Sequence, residues 1–168
     1  MDNLIWDNIV SIPWDSSEYL NKINKKKKII KTYNKYKPKA KVIKKIREII
    51  LNKQIHIKLL VIGAEWCPDC VKYSPQLLKI VDDINLGQIT LKFIYGVKVD
   101  PFHKKDDIIW HRTKSPPEAI DPKFNLEKIP TIYFFDTNGE LFGKIVESPE
   151  KFSRLEREFL YILEKNFK

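Results

Sequence analysis

The stretch GAEWCPDC, residues 63–70, contains the only two cysteines of the chain, Cys67 and Cys70. Two residues separate them, so on a helix they lie within one turn. Three chemistries fit such a pair. It can clamp a metal, staple the chain, or make and break a disulfide. A staple between Cys67 and Cys70 closes a very small loop and constrains the unfolded chain little. A 168-residue chain that is 43% apolar can bury a core without one. A zinc site asks for four ligands; the cysteines supply two, and His56, His103 and His111 are the other soft donors. Zinc or iron–sulfur ligation through the pair therefore stays as an alternative, with solvated histidines as the plainer reading. The remaining chemistry is thiol–disulfide exchange.

That chemistry depends on placement. IKLLVIG, from Ile57, is a short apolar run that predicts a buried strand. Val71, Leu77, Leu78, Val81 and Ile84 follow at helical spacing, with Pro75 interrupting and Gly87 ending the helix. The cysteines thus fall where a strand ends and a helix begins. Unpaired N–H groups and the positive end of the dipole meet at a helix start, which favours a thiolate there. Cys67, at the mouth, is the expected nucleophile. Cys70, one turn inside, is the expected resolving thiol. Pro68 stiffens the first turn and has no N–H, so donors to the Cys67 sulfur must come from Asp69 and Cys70. Asp69 disfavours further negative charge, yet could relay a proton. Trp66 is read as an apolar lip, or as an ordinary half-buried aromatic.

The rest of the chain must position this pair. Tyr19, Leu20, Ile23, Ile30 and Tyr33 predict one helix over 16–36, capped by Ser16 or Ser17. After Pro38, Val42, Ile43, Ile46, Ile49 and Ile50 predict a second. Leu91, Phe93, Tyr95, Val97 and Val99 alternate as a strand. A proline-broken stretch reads as an elaborated loop. TIYFFD and ELFGKIV read as a hairpin around Asn138-Gly139. Ser148-Pro149 reads as the start of a closing helix lined by Phe152, Leu155, Phe159, Ile162 and Leu163. Strand–helix–strand, then a hairpin and a helix, implies a mixed sheet covered on both faces. We divide the chain into an N-terminal helical extension, 1–54, and an α/β domain, 55–168.

The net charge of +9 is local. Residues 22–53 hold fourteen Lys or Arg against one acid, Glu48, while residues 54–168 hold seventeen of each sign. This basic hairpin could contact an acidic partner. Arg47 is its lone arginine, and no nucleic-acid motif accompanies it, so a solvated lysine face is the reading adopted and nucleic acid is not expected. The acidic start lacks a secretory signal, and no apolar run reaches membrane-spanning length. A cytoplasmic protein is expected, in which a CxxC points to redox work or metal.

WCPDCVKYSP carries the W-C-x-x-C-x-x-x-x-P pattern and resembles the thioredoxin family. KIPTIYFF, with Pro130 sixty-three residues after Cys67, is similar to that family's I-P-T before an apolar strand, and NGEL to its hairpin turn. The resemblance covers about residues 55–165, and WCPDC is also similar to a subgroup of thioredoxin-related cytosolic reductases. It implies a thioredoxin-like α/β fold, a mixed central sheet flanked by helices. It implies a cis peptide before Pro130, with Ile129, Pro130 and Thr131 beside the CxxC and the Ile129 backbone available to a substrate chain. It also implies a protein-disulfide reductase acting on protein or small-molecule disulfides. A reductase or low-molecular-weight thiol would return the electrons. No cofactor is expected beyond the Cys67–Cys70 pair, and a monomer is expected. A redox-inactive scaffold is the competing reading. Three departures stand out. Val61 occupies the position where the family often has a buried acid, which leaves Asp69 or Glu65 to handle the Cys70 proton. Glu147 falls where many members have glycine. The stretch between Asp100 and Pro130 is longer than in a minimal thioredoxin, and is read either as shaping substrate access or as a structural insertion.

Overall fold

The computed structural model describes residues 3–167. Three helices, α1 (Ser16–Lys22), α2 (Lys26–Lys35) and α3 (Ala40–Lys53), precede strand β1 (Ile57–Gly63). Then come α4 (Pro68–Ile84), β2 (Ile89–Tyr95), a short α5 (Pro117–Ile120), β3 (Thr131–Phe135), β4 (Leu141–Val146) and α6 (Leu155–Phe167). The sheet order is β2-β1-β3-β4. β1 and β2 are parallel, joined by the α4 crossover; β1–β3 and β3–β4 are antiparallel. The fold is thioredoxin-like: a mixed sheet flanked by helices.

Side chains of a strand point alternately to its two faces, and that alternation builds two cores. Leu59 and Val61 of β1, Phe93 of β2 and Ile132 and Phe134 of β3 face one side, against Leu77 and Ile80 of α4, Phe159 and Leu163 of α6, and Tyr19, Ile29, Ile46 and Ile50 of the first three helices. Residues of the N-terminal helices thus share one core with the central strands. Leu60, Ile62, Ile94, Tyr133 and Phe135 face the other side. Apart from α5, irregular chain covers this second face: Leu4 near the N-terminus, then Trp110, Phe124 and Leu126 of the long segment between β2 and β3. Trp110 Nε1 donates to the Leu126 carbonyl (2.6 Å) and the Tyr133 hydroxyl to the Phe124 carbonyl (2.8 Å), tying that segment down.

The N-terminal strap runs from the β4 side of the sheet to its other edge. Trp6 N–H bonds to the Gly139 carbonyl (2.7 Å), and Trp14 exchanges two 2.8 Å backbone bonds with Phe93. Midway, the buried Glu118 carboxylate accepts the N–H groups of Val10 and Ser11 (2.7 and 2.9 Å) and the Ser11 hydroxyl (2.5 Å).

Several element boundaries differ from the sequence expectation. The helix expected over 16–36 is two helices with a break at Ile23, whose backbone is extended (ψ 135°). Both Ile23, at the break, and Ile29, in α2, are buried in the core. Asp15, rather than a serine, caps α1: it accepts the Glu18 N–H (2.8 Å) while Glu18 reaches back to the Asp15 N–H. Asn85, in the left-handed conformation (φ 51°), ends α4 ahead of Gly87. β2 stops at Tyr95 because Gly96 turns the chain with φ 104°. The last helix begins at Leu155; before it, Glu158 Oε2 accepts the Lys151 and Phe152 N–H groups (3.1 and 3.3 Å), which holds residues 150–154 in bends.

Candidate functional site

β1 delivers the chain to Gly63, and α4 starts five residues later. Cys67 is the N-cap residue of α4, with extended backbone (φ −85°, ψ 118°), and Pro68 occupies the first helical position. That arrangement points the Cys67 sulfur at the unpaired amides of the first turn. Cys70 N–H donates to Cys67 Sγ at 3.2 Å. Both thiols are free, and both residues are buried, 5% and 1% exposed. Pro75 lies buried inside α4, where a proline removes a helix hydrogen bond and bends the axis.

The expected companions converge on the pair. The Ile129–Pro130 peptide is cis. Cys67 Sγ donates to the Ile129 carbonyl at 3.4 Å, so the residue before Pro130 touches the first sulfur directly. Thr131 begins β3 opposite Ile62, and its hydroxyl donates to the Lys128 carbonyl (2.7 Å), bracing the turn that carries Pro130. Trp66 is half exposed and its indole N–H donates to the Val97 carbonyl (2.8 Å), which fixes the ring at the rim beside Cys67. Glu147 N–H bonds to the Pro130 carbonyl (2.7 Å). Glu147 itself has φ 66°, a conformation that suits glycine, and its carboxylate pairs with Lys128 (3.2 Å), setting a charge pair at the mouth.

Asp69 and Glu65 do not share one role. Glu65 turns to the N-terminal segment and accepts the Asn24 N–H (3.2 Å). The Asp69 charge acts on both cysteines and opposes thiolate formation at each. Among the described residues no group of three or more His, Cys, Asp or Glu is placed to hold a metal ion. His103 and His111 are engaged within their own loop, and the His56 backbone pairs with Thr137.

The electrostatics separate the two sulfurs. A hydrogen bond from the Cys70 thiol lowers the Cys67 pKa; the Cys70 and Asp69 backbone amides assist and overcome burial, bringing it to about 7. Burial and the adjacent Cys67 push Cys70 far up. The pair thus joins one thiol that ionises near neutrality to one that keeps its proton. Iodoacetamide labelling of the reduced protein should rise with pH around a half-point near 7. A half-point at the ordinary thiol value of ~8.5 would contradict this assignment.

Sequence reasoning did not single out Tyr19, Ser74 or Tyr95, whose hydroxyls lie behind Cys70. Each is explained in sequence as an apolar-stripe or helix-surface residue, and only the packing of α1 against β2 joins them.

The mixed sheet with a dithiol at a helix mouth is a thioredoxin-like fold. Residues 14–95 match the family model described as Thioredoxin, a match that begins ahead of α1 and includes both cysteines. The thioredoxin-like protein Clot of Arabidopsis thaliana is 31% identical over 74 residues, 44% of this chain and 48% of that protein. In sequence the chain is similar to thioredoxin-like proteins over residues 14–95. It spans about half the length of the curated relative it matches. Two solved structures share the fold over nearly their whole length. A protein of unknown function from Pseudomonas aeruginosa superposes with a TM-score of 0.68 at 18% identity, covering 98% of this chain and 99% of that one. An HIV epitope scaffold gives 0.65 at 19% identity, covering 96% and 99%. Among the described residues no helix is long and apolar enough to cross a membrane.

Proposed function

We propose that this chain is a thiol–disulfide oxidoreductase that reduces protein or small-molecule disulfides in a reducing compartment, the cytoplasm. The observation that carries the reading is the asymmetry of the pair. Cys67 Sγ caps α4, receives the Cys70 N–H and lies against the Ile129 carbonyl. Cys67 thiolate attacks one sulfur of a substrate disulfide. A Cys67–substrate bond forms, and the substrate's own S–S bond breaks with its electron pair on the other sulfur, which takes up a proton. Cys70 then attacks Cys67 Sγ, closes the Cys67–Cys70 disulfide and expels the second substrate sulfur. The substrate gains two electrons and the protein loses them. A dithiol reductase or a low-molecular-weight thiol returns them, and no bound cofactor is required. The protein acts as a monomer on this reading. The backbone beside Pro130 supplies a short extended edge for a substrate segment, and Trp66 with the Lys128–Glu147 pair frames the mouth.

Insulin reduction by dithiothreitol tests this. The wild-type protein should accelerate precipitation of the insulin B chain, and Cys67→Ser should not. Equal rates with and without protein, or an active Cys67→Ser variant, would overturn the reading.

A further inference from the structure

The exchange chemistry proposed above leaves one buried group of polar atoms unused. Cys70 lies on the inner side of the pair, against Gly63. A Cβ placed on Gly63 would stand 2.9 Å from Cys70 Sγ and 3.3 and 3.4 Å from Cε1 and Cζ of Tyr95. The sulfur and the hydroxyl end of the tyrosine ring therefore close on the same point of β1, and they do so because residue 63 has no side chain. Tyr95 Oη is 2.7 Å from Ser74 Oγ, and Ser74 sits one helical turn beyond Cys70 on α4. Tyr19, 0% exposed, brings a third hydroxyl from α1. Its ring stacks on Phe93 (4.1 Å between centroids) and meets Tyr95 edge-on (5.4 Å).

Among the described residues, the Tyr19 hydroxyl is the buried side-chain group with no hydrogen bond of good geometry, although the Tyr95 and Ser74 hydroxyls are near enough to act on it. Burying a hydroxyl unpaired is costly, and such groups call for a reason. Phenylalanine would keep both ring contacts without that cost. Val61 brings no polar group from β1, so the carboxylates nearby are Asp69, which acts on Cys70, and Glu65, which acts on Tyr19. The Asp69 charge opposes a Cys70 thiolate. Burial holds the Tyr19 and Tyr95 hydroxyls protonated, and the Cys70 charge adds to this, so both remain donors when that charge forms.

We infer that the Tyr19, Ser74 and Tyr95 hydroxyls form a buried donor cluster that stabilises the Cys70 thiolate in the resolving step. The inference rests on the exchange reading above. As Cys70 Sγ attacks Cys67 Sγ, the Cys67–Cys70 bond forms and the Cys67–substrate bond breaks with its electron pair on the departing sulfur. The proton Cys70 gives up is balanced by one the departing thiolate takes from solvent. The hydroxyls keep their own protons and turn their O–H dipoles toward the sulfur. They are positioning residues for Cys70, which alone among them reacts.

The test uses the full reduced chain and 5,5′-dithiobis(2-nitrobenzoate) in single turnover. Attack by Cys67 releases one thionitrobenzoate, and resolution by Cys70 releases the second. In Tyr19→Phe and Tyr95→Phe the second release should slow relative to the first by about tenfold, the scale of losing a hydrogen bond to a charged group. The acid limb of the second phase should move to higher pH. Tyr19→Phe should at the same time melt at or above the wild-type Tm, because it removes a hydroxyl without a hydrogen bond of good geometry; a merely structural role predicts neither the slowing nor the pH change. A second-to-first ratio within twofold of wild type in both variants, with the acid limb in place, would overturn the inference and leave the exchange reading intact. A wild-type protein that never releases the second equivalent would overturn the exchange reading, and the inference with it.

Discussion

Cys70→Ser should stall after the first chemical step. Turnover of a disulfide substrate should fall by at least ~10³-fold, the scale seen when one member of a catalytic unit is removed. A stable Cys67–substrate adduct should accumulate to one equivalent, visible by mass. The nucleophile survives because its activation survives. The largest influence lowering the Cys67 pKa is the hydrogen bond from the Cys70 side chain, followed among the favourable ones by the backbone amides of Cys70 and Asp69. A serine hydroxyl can replace the thiol as donor, and the amides do not change.

Cys70→Ala separates the two duties of Cys70. It also cannot resolve the adduct, but it removes the side-chain donor. Loss of a hydrogen bond to a charged group is worth ~1.5–3 kcal/mol, so the Cys67 labelling half-point should climb from about 7 by about one pH unit or more. In Cys70→Ser it should stay near 7. An adduct that turns over in Cys70→Ser, or equal half-points in the serine and alanine variants, would show that Cys70 neither resolves nor tunes. The serine variant is also the trap for partners: proteins recovered on Cys67 from cell extract would name the substrates.

The candidate reacting residues were legible in the sequence because their chemistry is local. Cys67, Pro68 and Cys70 lie in one stretch, and an apolar run followed by a helical period places them at a strand–helix junction. The Ile129, Pro130 and Thr131 group was legible through resemblance alone. Nothing local to those residues says that the chain returns to Cys67, which depends on β3 lying antiparallel to β1. The hydroxyl cluster was not legible. Tyr19 satisfies a helical stripe and Tyr95 an alternating strand, so each has a sufficient local explanation. The boundaries that differed have a common origin as well: Asp15, Glu158 and Gly96 decide where elements start or stop through caps and turns that an apolar pattern does not carry. The long segment before Pro130 shows a related effect. Its polar, proline-broken sequence reads as a loop, but Trp110, Phe124 and Leu126 make it the cover of a sheet face.

Glu156→Ala should give the largest loss of stability of any single polar substitution we consider. Glu156 sits in the first turn of α6 with a side chain that is 0% exposed. It accepts the Tyr36 hydroxyl, the Lys39 N–H (2.9 Å) and Arg154 Nε (2.9 Å). Arg154 in turn lies over the Tyr36 ring (4.9 Å) and donates to the Lys37 carbonyl (2.5 Å). One carboxylate therefore fastens the α2–α3 connection to the last helix, and alanine leaves two neutral donors and part of a guanidinium without it. Breaking a buried pair from one side costs ~3–5 kcal/mol, which for a chain of this size is a fall in Tm of about 10 °C. The same contact sets a pH dependence. Burial alone would raise the Glu156 pKa; the Tyr36 hydroxyl, the Lys39 amide and Arg154 outweigh it and hold the carboxyl below its usual range. A depressed carboxyl adds stability that is complete above the unfolded value near pH ~4.3 and is lost as pH falls through the folded one. The Tm gap between wild type and Glu156→Ala should accordingly be full at pH 7 and narrow below pH ~4. A gap under about 3 °C at pH 7, or one that widens in acid, would mean that this carboxylate does not hold the N-terminal helices to the fold.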